Sequence, residues 1–181
     1  RVAMLEDWLK AGFDLGNHTF GHLSLHDVSL ADYQRDILKG ENLLRPMLAR
    51  RGKTPQWFRH PYLRTGRTIE DKAAVQNILI SHGYRIAPVT VDNSDSIWAL
   101  AYRKTLENGR DKDIMIRLRQ EYVPYMLAKV DFYERTSIAL LGYNLPHVWL
   151  LHANELNAVT YADLIATIRK RGYRFVSLEE A

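Results

Sequence analysis

Hydrophobic positions along the chain change period repeatedly, from helical spacing to short apolar runs and back. Met4 to Lys10 reads as an amphipathic helix stopped by Gly12, and Phe13 to Gly16 as a short strand. The next helix opens after Ser29, with Asp32 placed like the acidic member of a capping box, and runs towards Arg51-Gly52. Pro46 inside it predicts a kink. Trp57-Phe58-Arg59 is the following strand. Thr68 and Asp71 open a helix that ends at Gly83, and Arg85 to Val91 is a strand. From Ala99 to Leu141 the pattern is helical, broken around Asn108-Gly109. Ile114, Leu118, Tyr122, Tyr125 and Met126 recur there at helical spacing and read as a core stripe. Val148 to Leu151 is a strand, Thr160 and Asp163 open a last helix, and Arg174 to Val176 is a last strand. This alternation predicts an α/β fold with a parallel sheet. No internal repeat or Pro/Gly-rich linker interrupts it, so residues 1–181 are expected to form one domain.

Composition narrows the function. At 181 residues, 46% of them hydrophobic, the chain can bury a sizeable core, and no apolar run is long enough to span a bilayer. The net charge of +4 is spread out. Arg50-Arg51 and Arg169-Lys170-Arg171 fall near predicted helix ends, where the helix dipole favours cations, so no nucleic-acid partner is expected. Cysteine is absent, which removes disulfides, thiolate zinc sites and cysteine nucleophiles together and leaves the compartment open. The chain begins without methionine and without a signal-peptide pattern, directly in a helix, and a missing upstream segment is expected.

The polar clusters all follow predicted strands: His18 to His22, Arg59 to Tyr62, Asp92 to Asp95, and His152 to Asn157. Active sites of α/β folds collect at the C-terminal ends of strands, so the four clusters are expected to converge on one pocket. Within the first, His18 and His22 are spaced to share one metal ion, and zinc is the ion that suits paired imidazoles. A catalytic zinc takes three protein ligands and a water, so a third ligand is required. His26 continues the four-residue spacing. If the stretch were helical, eight residues would rise about 12 Å, whereas two ligands of one zinc lie within roughly 4 Å. His26 is therefore expected to support the ligands from behind or to be structural.

Other residues keep two readings. His60 either faces the pocket or caps a strand, and Trp98 either offers a flat face to a sugar ring or packs in the core. His82 reads as a helix C-terminal residue and His147 as a loop residue. Asp92 with Asn93-Ser94 suits a turn, and Asn154 and Asn157 suit the turn into the last helix.

Together the clusters resemble the polysaccharide deacetylases with a NodB-homology domain, carbohydrate esterase family four. His18-Thr19-Phe20-Gly21-His22 is similar to the family's H-[ST]-x-x-H motif, and Arg59-His60-Pro61-Tyr62 to its R-x-P-Y motif. Asp92-Asn93-Ser94-Asp95, with Trp98 close by, resembles its D-x-x-D motif, and Leu150-Leu151-His152 its L-L-H strand end. The family's first motif, a T-F-D-D-like strand end, has no counterpart, since no Asp-Asp pair occurs in the chain. Asp7 and Asp14 precede His18 in a different context, and neither takes over that role.

The resemblance implies a distorted (β/α) barrel lacking its first strand–helix unit, with a helical insertion around 99–141. It implies a metal-dependent N-deacetylase acting on an amino-sugar polymer or oligosaccharide. His18 and His22 would bind a divalent metal, zinc first, with cobalt, manganese or nickel also accepted by a mixed site. The Tyr62 backbone N–H, fixed by Pro61, would stabilise the oxyanion, and His152 would protonate the leaving amine. Asp95 would pair with the catalytic histidine, and Arg59 would orient a base that this chain lacks. Pro61, Trp98 and Asn154 would contact substrate, and a cell-envelope or secreted location follows from the family's usual substrates. Two rivals stand beside this reading: a glycan-binding relative that has lost its base, and a hydrolase of another amide on the same scaffold.

Overall fold

The computed structural model describes residues 2–109 and 111–181, which form two compact units, Arg1–Pro88 and Val89–Ala181. In the first unit, α1 (Val2–Lys10) and α2 (Leu30–Ala49) pack through Leu9, Leu44, Met47 and Leu48. β1 (Trp57–Phe58) and β2 (Arg85–Ile86) pair in parallel, Trp57 opposite Arg85 and Phe58 opposite Ile86, with α3 (Ile69–Ser81) as the crossover between them. Asn17 adds a parallel bridge to Phe58. Tyr33, Ile37, Phe58, Val75, Leu79 and Tyr84 form the core between helices and strands.

The expected caps of this unit are present. Ser29 Oγ accepts from the Asp32 backbone N–H at 3.1 Å and starts α2, and Thr68 Oγ1 accepts from that of Asp71 at 3.1 Å and starts α3. α3 ends where Gly83 takes a left-handed φ of 78°.

The second unit is built on three helices, α4 (Asp95–Glu107), α5 (Lys112–Leu141) and α6 (Glu155–Lys170). Tyr102, Tyr122, Met126, Leu156 and Leu164 form one core, and Val91, Val130 and Ile168 another. Val91 and Trp149 make an isolated parallel bridge.

The strands are the main departure from the sequence expectations. The 13–16 and 174–176 segments are not strands. Asn17, just after the first stretch, makes the bridge to Phe58, and Phe13, Phe175 and Val176 are exposed. An apolar run becomes a strand only where a second backbone meets its N–H and C=O groups. The strand expected at 85–91 is β2 and a separate bridge at Val91, and that at 148–151 is one bridge at Trp149.

Helix starts shift as well. α4 begins at Asp95 rather than Ala99. α6 begins at Glu155 because Asn154 caps it, Oδ1 accepting from the Asn157 N–H at 2.8 Å. Thr160, expected as a cap, is buried inside α6 and donates to the Leu156 carbonyl. Ile114 leaves the expected core stripe and is exposed, whereas Tyr122 and Met126 are fully buried.

Candidate active site

In the first unit the His18–His22 segment is a loop, so the helical premise used for His26 does not apply. Asn17 anchors the loop. Its N–H donates to Trp57 O at 2.8 Å, its C=O accepts from Arg59 N at 3.0 Å, and its amide donates to Ile37 O at 2.9 Å and Tyr84 Oη at 3.1 Å. Its Oδ1 accepts from Thr19 N at 2.9 Å, and Asp36 of α2 takes the Gly21 N–H at 2.7 Å. Thr19 and His22 are held in left-handed conformations, φ 61° and 57°. For non-glycine residues such conformations persist only where the surroundings over-determine them.

This folding brings the two exposed imidazoles together edge to face, ring centroids 4.8 Å apart. His18 Nδ1 donates to the Arg59 carbonyl at 2.7 Å, which fixes the tautomer with the lone pair on Nε2. The His22 ring in turn packs against Tyr62 at 4.6 Å. Pro61 opens a 3-10 turn in which Tyr62 has φ 57° and Leu63 φ 55°. Within that turn the Leu63 and Arg64 N–H groups are bonded to His60 O and Pro61 O.

Arg59 reaches Ala87 O at 3.4 Å and Pro88 O at 3.2 Å, and burial pushes its guanidinium pKa down. His60 belongs to the core. It is 3% exposed, shares a hydrogen bond of 3.0 Å between Nδ1 and the Tyr33 hydroxyl, and is held neutral by burial and the nearby His18, its pKa lowered to about 4. His26 Nε2 lies 3.0 Å from Gly66 O, and His82 ends α3 beside Glu41.

The second unit holds the other predicted residues. Asp95, 1% exposed, accepts from His152 twice, from Nδ1 at 2.6 Å and from the backbone N–H at 2.8 Å. A third donor, Asn157 Nδ2, reaches Asp95 Oδ2 at 2.8 Å. Burial pushes the Asp95 pKa up, but the hydrogen bonds from His152 and Asn157 outweigh it and the carboxyl lies below its ordinary value. The His152 ring is exposed while its carboxylate partner is buried, the arrangement of an imidazole held for proton transfer.

Asp92 turns the chain by accepting from Asn93 N, and Asn93 Oδ1 accepts from Asp95 N. Trp98 packs partly buried against Tyr122 and Tyr125 at 5.8 and 5.3 Å. Asn154 caps α6 and donates to His152 O at 3.1 Å, and His147 lies between Thr90 and Asn144. A cavity of about 330 Å³ in this unit is lined by apolar side chains such as Val91, Trp149, Ile165 and Phe175, and by neither Asp95 nor His152.

The residue pattern gave no hint of Asn17, Asp36 or Tyr122 as supports. The Asn154-x-x-Asn157 spacing is a capping signal that could have found α6 and its side-chain network.

Among the described residues no group of three or more His, Cys, Asp or Glu side chains is placed to hold a metal. The His18–His22 pair, with the His18 tautomer set by a carbonyl, therefore fits two ligands of a metal site and not a complete one.

A family model described as polysaccharide deacetylase matches residues 2–87. Those residues, just under half of the chain, are similar to the polysaccharide deacetylases. The match takes in the His18–His22 and Arg59–Tyr62 motifs and stops before Asp95 and His152. Among solved structures, a CE4 family pseudoenzyme from Bacillus anthracis is 14% identical, with a TM-score of 0.58 over 96% of this chain and 47% of its own. A mutant of that pseudoenzyme is 15% identical with a TM-score of 0.62, and one described as having restored enzymatic activity is 15% identical with a TM-score of 0.61. Each mutant is matched over 96% of this chain and 49% of its own. The likeness shows a shared fold, and the chain spans about half the length of those structures. No curated protein matches.

Proposed function

We propose that the protein is a metal-dependent N-deacetylase of amino-sugar polymers or oligosaccharides, built on a distorted (β/α) barrel of the deacetylase type. The reading is supported by the family match over residues 2–87 and by the two imidazoles set 4.8 Å apart, with the His18 tautomer fixed. That pair is the observation that carries it. His18 and His22 would hold a divalent metal, zinc first, which when bound supplies Lewis acidity and a water of lowered pKa.

The remaining chemistry belongs to the chain's own groups. The Tyr62 N–H, held by Pro61 and the left-handed turn, is offered to the oxygen on which negative charge develops. His152 donates its proton to the departing amine, which leaves poorly unless protonated. Asp95 keeps that imidazole oriented and favours its protonated form. Arg59 and Pro61 shape the turn that carries Tyr62, and Trp98 and Asn154 line the approach of the glycan.

A second reading has its own observation. Beside His18 and His22 no third ligand stands among the described residues, and the neighbouring structures are described as pseudoenzymes, one regaining activity by mutation. A glycan-binding relative without turnover is the alternative. Acetate release from N-acetylglucosamine oligomers with added zinc decides between them. Release that disappears in His22→Ala supports the enzyme, whereas binding of the oligomers without release supports the alternative.

A further inference from the structure

We infer that Asn157, oriented by Tyr122, is a positioning residue that fixes the Asp95–His152 pair. The inference deepens the proposed deacetylase reading, in which His152 is the proton donor. Asn157 is 6% exposed and its amide is saturated. One Nδ2 hydrogen goes to Asp95 Oδ2 at 2.8 Å and the other to the carbonyl of His152 at 2.8 Å. The same amide thus braces the carboxylate and the backbone of the histidine that the carboxylate holds.

An asparagine amide could be turned over, presenting Oδ1 to Asp95 and setting two acceptors against each other. Tyr122 forbids that. Its hydroxyl is fully buried and donates to Asn157 Oδ1 at 2.5 Å. Burial and the charge of Asp95 keep the phenol protonated, so it acts as a donor. The Asn157 backbone N–H is committed as well, to the Asn154 cap of α6. α5, through Tyr122, and the first turn of α6 therefore set the direction of the His152 ring without touching it.

His152 and Tyr122 are the titratable groups that face Asp95. With the brace intact, neutral His152 carries its proton on Nδ1 and its lone pair on Nε2. Without it the carboxylate keeps two donors, both from His152, and is free to swing with that residue.

Nitrogen-15 NMR of His152 in the full chain tests this without any need for turnover, so its outcome is separate from the fate of the deacetylase reading. Wild type is expected to show the Nδ1–H tautomer. Asn157→Leu should mix the two tautomers and raise the Asp95 titration midpoint. Tyr122→Phe, which removes only a hydroxyl, should move both signals the same way by less, and serves if Asn157→Leu does not fold. Wild-type tautomer and Asp95 midpoint in Tyr122→Phe, or in a folded Asn157→Leu, would overturn the inference.

Discussion

Gly40 of α2 lies so close to Asn17 that a Cβ on it would meet Asn17 Oδ1 at 2.8 Å and the Thr19 and Phe20 backbone at 3.3 and 3.4 Å. The helix and the histidine loop touch backbone to backbone at this point. Alanine is the better helix former by about 1 kcal/mol, yet Gly40→Ala is expected to destabilise by about 1–3 kcal/mol, because the loop must move to admit the methyl. Urea denaturation checks the sign, and a Gly40→Ala variant more stable than wild type would show that the loop is not fixed here. Asn17→Ala should cost about 2–3 kcal/mol by leaving buried polar groups unpaired.

Asp95 makes stability depend on acid. Its carboxyl lies below the ordinary 3.8 because the donors from His152 and Asn157 outweigh the effect of burial. A depressed carboxyl stabilises the fold above its unfolded pKa, and that contribution is lost as pH falls through the folded value. The unfolding free energies of wild type and Asp95→Asn should therefore differ most above about pH 4 and draw together below it. A difference that ignores pH would count against an ionised, paired Asp95.

His60 works over a different window. Burial and the charge of His18 lower its pKa from 6.5 to about 4, so the unfolded chain takes up the proton first. Its contribution is full above pH 6.5 and is lost as the pH falls from 6.5 to about 4, by about 3 kcal/mol in all. In His60→Gln the slope across that window should vanish. A slope unchanged by the substitution would place the titration elsewhere.

How much of this could be read from the sequence follows from what is local. The caps at Ser29 and Thr68 and the glycine stop at Gly83 depend on a few neighbouring residues and were legible. Phe13 to Gly16 and Arg174 to Val176 were not, because a strand is decided by a partner that the run itself does not name. The Asp95–His152 pairing was legible only through family resemblance, since 57 residues separate its members. Asn157 and Tyr122 stayed hidden because a helix-start asparagine and a core tyrosine look alike whether or not they brace a histidine.

The His18–His22 pair carries the functional account, and zinc binding by the purified protein tests it most directly. Because the pair is two ligands of an incomplete site, zinc titrated into the purified protein should bind weakly, and binding should weaken further in His18→Ala and in His22→Ala alike. Zinc that the wild type does not bind at all, or that both variants bind as well as the wild type, would contradict the assignment of this pair as metal ligands.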